Sequence, residues 1–123
     1  MGKYVIKQAK TGPMFNLKSG NGEPILHSEI YSSMASCKNG IASVAKNAPI
    51  AEIEDQTKEG FEKVSNPKFE LYVDKKGEFR FRLKARNGEI IGTSESYKAK
   101  ASALNGIDSV KRNADSETVE EDA

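Results

Sequence analysis

Cysteine is all but missing from this chain: Cys37 stands alone among 123 residues. No intramolecular disulfide can form, which fits a reducing compartment and a cytoplasmic location. Histidine occurs once, as His27, so a metal site would lack soft ligands and a general base would lack partners. No apolar run approaches the roughly 20 residues of a membrane-spanning helix, and Met1-Gly2-Lys3-Tyr4-Val5-Ile6-Lys7 has no apolar core of signal-peptide length. Glycine-rich phosphate loops are also wanting, because Gly20-Asn21-Gly22 reads as a hairpin turn and not as a strand-to-helix cradle. These absences set the expectations: no catalysis, no cofactor, no metal and no membrane.

An excess of one charge is missing only in the sum. The formal net charge is +1, yet Asp115, Glu117, Glu120, Glu121 and Asp122 crowd the last nine residues with no basic neighbour. Residues 1–114 keep all 19 basic side chains against 13 acidic ones, a net of +6. The chain therefore reads as one compact domain over 1–114 followed by an acidic, frayed tail over 115–123.

What the chain does contain is the same stretch twice. Phe15 to Ala48 and Phe81 to Ala114 align without a gap, with 19 identities in 34 positions. Such duplication sets architecture before local propensity does. Each unit opens with a short alternating segment, at Tyr4-Val5-Ile6 and at Phe69 to Val73, and then turns through Thr11-Gly12-Pro13 or Lys75-Lys76-Gly77. Phe79 to Arg86 alternates over eight residues, which places Phe79, Phe81, Leu83 and Ala85 on one face of a half-buried strand. Asn21-Gly22 and Asn87-Gly88 follow at matched places and predict two-residue type I′ turns. Third strands run from Glu23 to Ser28 and from Glu89 to Ser94.

Beyond Tyr31 and Tyr97 the period becomes helical. Cys37, Ile41, Val44 and Ala48 form an apolar stripe that Ala103, Ile107, Val110 and Ala114 repeat in register. Gly40 and Gly106 sit inside these helices at a cost of about 1 kcal/mol each relative to alanine, which implies a close approach to the sheet. Asn47 and Asn113 mark the helix ends, and Pro49 confirms the first. Ala51 to Asp55 is a fourth strand, with a weaker counterpart in Ser116 to Glu120. Repeat one thus spans 3–56, a connection 57–67, and repeat two 68–120. A unit of about 50 residues has a thin core alone, so the two are expected to share one sheet in a monomer with internal pseudo-dimer symmetry.

The string Asn-Gly-Glu, Ser-Glu-x-Tyr and Asn-Gly-Ile-x-Ser-Val-x-x-Asn-Ala, present in both copies, resembles the YegP-like family of small bacterial proteins of unknown function. The resemblance covers all but the acidic tail. It implies an α+β fold of two β(3)-α-β units in one pseudo-twofold antiparallel sheet, with both helices on one face and the C-terminal strands exchanged between halves. It carries no activity, cofactor or catalytic residue.

Two sets of residues bear on function. Arg80, Arg82, Lys84 and Arg86 share one strand face, and with Lys18 they could meet successive phosphates of a nucleic acid, with Lys98, Lys100, Lys111 and Arg112 as a rim. Across a two-residue hairpin, however, Arg86 would face Glu89 and Arg80 would face Glu95, which is ordinary sheet stabilisation. Repeat one has Asn16, Lys18 and Gly20 where repeat two has Arg82, Lys84 and Arg86, so the stripe is not reproduced and nucleic acid is the less favoured partner. The second set is the matched polar residues Ser28 and Ser94, Glu29 and Glu95, Tyr31 and Tyr97, and Ser43 and Ser109. Helix capping explains them better than paired ligand clefts at the strand-to-helix junctions. His27 reads as a surface strand residue and Cys37 as core. The expected role is a non-catalytic binding or interaction module, with polyanion binding or peptide addition to a sheet edge as alternatives. The natural partner is not named by the sequence.

Overall fold

Among residues 2–120, which the computed structural model describes, each repeat folds as three strands, a helix and a strand. Repeat one gives β1 (Lys3–Ala9), β2 (Gly12–Lys18), β3 (Pro24–His27), α1 (Met34–Asn47) and β4 (Glu52–Asp55). Repeat two gives β5 (Lys68–Val73), β6 (Phe79–Lys84), β7 (Ile90–Thr93), α2 (Lys100–Asn113) and β8 (Glu117–Glu120). All of these strands join one sheet in the order β4-β5-β6-β7-β3-β2-β1-β8. The last strand of each repeat crosses to the other, β4 lying beside β5 and β8 beside β1. Both outer pairs are parallel, so the sheet is mixed rather than antiparallel throughout.

The acidic tail is structured further than its composition suggests. Glu117 to Glu120 pairs residue for residue with Lys3 to Ile6. Backbone bonds to β1 are available whatever the side chains prefer, so a poor strand sequence still completes the edge. The frayed reading thus fails for the strand, and residues 121–123 lie outside the described residues.

Alternation and the helical stripes bury one face of the sheet. Tyr4, Ile6, Phe15, Leu17, Leu26, Phe69, Leu71, Phe81 and Leu83 meet Cys37, Val44, Ala103, Ile107 and Val110 in a single core. The packing repeats in detail: Tyr4 meets Phe15 edge-on at 5.8 Å, and Phe69 meets Phe81 at 5.9 Å. The close approach at the helix glycines is real. A Cβ on Gly40 would lie 2.2 Å from the Tyr31 hydroxyl, and one on Gly106 would lie 2.7 Å from that of Tyr97.

The Asn-Gly turns are not type I′. Only the glycines adopt positive φ, 85° at both Gly22 and Gly88. Gly88 N donates to Ala85 O and Ala85 N to Glu89 O, with the same pair of bonds from Ser19 to Glu23. This is a three-residue loop, a type I turn closed by a glycine bulge. Asn21 and Asn87 accept from the Glu23 and Glu89 amides at 3.0 Å and hold the loops. The extra residue shifts the register at Leu83/Lys84, so Lys84 pairs with Ile90.

A single ladder pair, His27 with Thr93, joins the two halves at β3 and β7. Beside it Leu26 fills the space that Gly92 leaves, since a Cβ there would lie 2.5 Å from Leu26 Cγ.

Candidate functional site

The helices cover one face of the sheet, and the other carries the basic stripe. One row of ladder partners crosses this open face through all the strands: Val119, Val5, Asn16, His27, Thr93, Arg82, Glu70 and Glu54. The pseudo-twofold axis passes between His27 and Thr93. On the repeat-two side the stripe is tied down by carboxylates of its own sheet. Arg82 Nε bonds Glu70 Oε1 at 2.5 Å, Lys84 Nζ lies 3.4 Å from Glu70 Oε2, and Arg80 Nε bonds Asp74 Oδ2 at 3.1 Å. Lys68 reaches Glu54 at 2.7 Å and Glu70 at 3.5 Å.

The carboxylates are themselves buried, Glu54 to 2% exposure and Glu70 to 4%. The connection after β4 folds back over Glu54, whose Oε2 accepts from the Val64 amide at 2.7 Å. Burial alone would raise the pKa of Glu54, but bonds from Lys68, Val64 and Gln56 more than offset it and hold the carboxyl at about 2. Glu70 is likewise lowered, burial being outweighed by Arg82 and Lys84. The bond to Glu54 raises Lys68.

These partners differ from those that the hairpin register predicts. Thr93 opposes Arg82, but the bulge moves Lys84 onto Ile90 and leaves Arg86 in the turn. The ladder ends at Arg82 and Thr93 before it reaches Arg80 and Glu95, and the acids come from β5 and its turn instead of β7. Glu95 reaches His27 Nε2 at 3.4 Å, across the axis, while Asn16 Oδ1 meets His27 Nδ1 at 2.5 Å. An aromatic also lies on this face: Tyr72, whose ring Arg82 covers at 4.7 Å. Its parity opposite to Phe69 and Leu71 was the available signal. Arg86 is exposed in the turn, and Lys18 lies two strands beyond β7, so neither continues the stripe. Of the rim residues, Lys100, Lys111 and Arg112 belong to α2, where Lys100 bonds Asp55, Lys111 lies over Phe69 and Arg112 bonds Asp108.

The matched polar residues hold the fold, though not as helix caps. Ser28 Oγ accepts from the Phe15 amide at 2.9 Å and donates to Glu29 O at 2.8 Å, and Ser94 treats Phe81 and Glu95 in the same way. They lock the third strand to the second where the ladder ends. The N-cap of α1 is Ser33, accepting from Ser36 N at 3.1 Å, and α2 starts at Ala99 without a side-chain cap. Tyr31 and Tyr97 stack on Phe15 and Phe81 at 6.2 and 6.3 Å. Burial raises the pKa of both tyrosines. Asn47 and Asn113 each end a helix by donating back to the Ser43 or Ser109 carbonyl, at 2.8 and 2.7 Å.

Two grooves lie away from the strand-to-helix junctions. A groove of about 1150 Å³ separates the end of α2 from the Ser19–Gly22 turn. Its counterpart of about 330 Å³ lies between α1 and the turn at Ala85–Asn87. Each groove joins a helix of one repeat to a turn of the other. Among the described residues no group of His, Cys, Asp and Glu side chains is arranged to hold a metal ion, and no helix is long and apolar enough to cross a membrane.

The duplicated geometry is matched among known proteins. The profile of a domain of unknown function, DUF1508, fits residues 9–55 and again 74–121. The chain belongs to this family. Its relatives include the UPF0339 protein YegP of Yersinia pestis, 46% identical over 114 residues that cover 92% of this chain and 88% of that one. The UPF0339 protein MS1092 of Mannheimia succiniciproducens is 47% identical over 93% of this chain and 88% of its own. The solution structure of yegP from E. coli, described as a protein of unknown function, superposes with a TM-score of 0.77. It is 38% identical and covers 97% of this chain and 90% of its own. The UPF0339 protein SO3888 from Shewanella oneidensis gives the same TM-score at 34% identity, over 97% of this chain and 92% of its own. The DUF1508 match therefore fixes family and fold together, an α+β sheet built of two repeats.

Proposed function

We propose that this DUF1508 protein is a non-catalytic interaction module that works through the edges of its sheet rather than through its basic face. The observation that carries this reading is the state of the stripe. Lys68, Arg80, Arg82 and Lys84 each hold a carboxylate of the same half-sheet. A phosphate would have to displace a bonded, partly buried acid to reach Arg82 or Lys84, which costs more than displacing water. The duplicated polar groups are equally engaged, since Ser28, Ser94, Asn47 and Asn113 spend their bonding capacity on backbone. The sheet ends, by contrast, present strands to a partner.

The test is a titration of labelled protein with mixed-sequence single-stranded oligonucleotides at low and at high salt. Amides of Phe79 to Lys84 are expected to stay in place at both. A shift there that salt abolishes would restore the polyanion reading. The buried Cys37 fits a reducing cytoplasm, and the closure of both repeats within one chain fits a monomer, which sedimentation would check.

A further inference from the structure

The two ends of the sheet are related by the pseudo-twofold axis, yet their side chains differ. Lys100 bonds Asp55 and Lys111 lies over Phe69, the ladder partner of Ile53. The flank of α2 that carries Lys100, Leu104 and Lys111 therefore faces β4 and β5. Ile50, Ile53 and Leu104 are 57%, 39% and 38% exposed along this edge. The positions that correspond at the β8 end are Ser116, Thr118 and Lys38, and Lys38 reaches Glu120 at 3.7 Å. One edge is blunted by polar and charged groups, as sheet edges ordinarily are. On the helix-bearing side the other is left apolar, whereas the exposed apolar residue of β8, Val119 at 37%, lies on the opposite face.

We propose that the β4 edge docks an extended segment of alternating apolar and basic residues; this rests on the edge-binding reading above. Gln56 N donates inward to Leu71 O, so by strand alternation the amides of Ile53 and Asp55 point outward. A strand added there would set every second side chain against Ile53 and Leu104 on the helix side. Its intervening side chains would meet Glu52, exposed on the opposite face. A second copy of β4 fits poorly, because Glu-Ile-Glu-Asp laid antiparallel on itself opposes acid to acid. A basic, alternating strand fits well, and the molecule contains the template: β6, Phe-Arg-Phe-Arg-Leu-Lys, pairs Arg82 with Glu70 and Phe81 with Leu71.

The probe is a blocked synthetic peptide of residues 79–86, added to the labelled full chain. Saturable shifts and slowed amide exchange at Ile53 and Asp55 are expected. A peptide of the same composition with its basic residues in one block should bind at least about tenfold more weakly, since it cannot satisfy both faces of a strand. Ile53→Thr with Leu104→Lys gives the β4 edge the residues of the β8 edge and should weaken the alternating peptide by about tenfold or more. Leu104→Lys alone, at an exposed position where repeat one already carries lysine, separates lost binding from lost folding. Equal binding of the control peptide whose basic residues form one block, an unaffected double variant, or shifts confined to Glu117–Glu120 would overturn the β4 assignment while leaving edge binding intact. No response to any extended peptide would overturn both readings.

Discussion

The two halves of the open face sit at equivalent places in one sheet and are built on opposite principles. The half-sheet built on β5, β6 and β7 has Glu54, from the crossed-over β4, and Glu70, both buried and bonded to Lys68. In their places the half built on β1, β2 and β3 has Val119, from the crossed-over β8, and Val5. Where repeat two has Arg82, repeat one has Asn16. The backbone tolerates either solution because a ladder asks only that each side chain be satisfied where it stands. An ionic solution is the more brittle of the two, since each charge needs every other.

Breaking that comparison at the axis should have the largest effect. Leu26 and Gly92 are equivalent positions that touch, one filling what the other vacates. Leu26→Ala should cost about 2–5 kcal/mol in urea unfolding, and Gly92→Ala about 1–3 kcal/mol through overpacking. Together they should cost less than the sum, because the new methyl enters vacated space. Strict additivity would show that the two do not share a site.

Next in size is the ionic half. Lys68→Met removes the cation bonded to the buried Glu54 and should cost about 3 kcal/mol, while Lys3→Met, the equivalent change in repeat one, should stay within about 0.5 kcal/mol. Giving the ionic half-sheet the valines of the other half, Glu54→Val with Glu70→Val, should be tolerated far better than Lys68→Met. If it is worse, the ionic row stabilises more than its apolar counterpart.

The same variant sharpens the comparison through pH. Glu54 has a folded pKa of about 2 against an ordinary 4.5. A depressed carboxyl contributes stability that is full above the ordinary value and lost as pH falls toward the folded one. The native protein should therefore lose stability between about pH 4.5 and pH 2, and the double-valine variant should show a shallower loss. Parallel curves would remove Glu54 and Glu70 as the cause.

The smallest effects belong to the helix glycines. Alanine at either gains about 1 kcal/mol of helix propensity and must push aside a tyrosine hydroxyl. Gly40→Ala should be the worse, with its Cβ 2.2 Å from Tyr31 against 2.7 Å from Tyr97 at Gly106. Equal thermal midpoints for the two would contradict that ordering.

Much of this was legible beforehand. The period-two runs located the β6 face, the period-3.6 stripes located both helices, and the glycines Gly40 and Gly106 announced a close approach that the tyrosine rings now explain. The turn type was not legible, because Asn-Gly serves two loop geometries and only the hydrogen bonds of Ser19–Glu23 and Ala85–Glu89 distinguish them. With the turn went the register beyond Leu83, and with it the partners of Lys84 and Arg86, while Arg80 loses Glu95 because the ladder ends at Arg82 and Thr93. The roles of Ser28 and Ser94 were hidden for a related reason: the amides they serve lie 13 residues back.

The unmatched positions illustrate the remaining division. Read as a sequence, differences between the copies mark places where one half has gained something of its own. In space, Leu26 with Gly92 and His27 with Thr93 differ where the copies face each other across the axis. Leu26 and Gly92 differ because two leucines could not share that room. The sequence by itself determined the duplication, the elements and the core, since these depend on periodicity within short segments. Only the tertiary structure decided which acid neutralises which base, which edge is left apolar and which unlike residues meet at the axis, because those contacts join segments that no local pattern brings together.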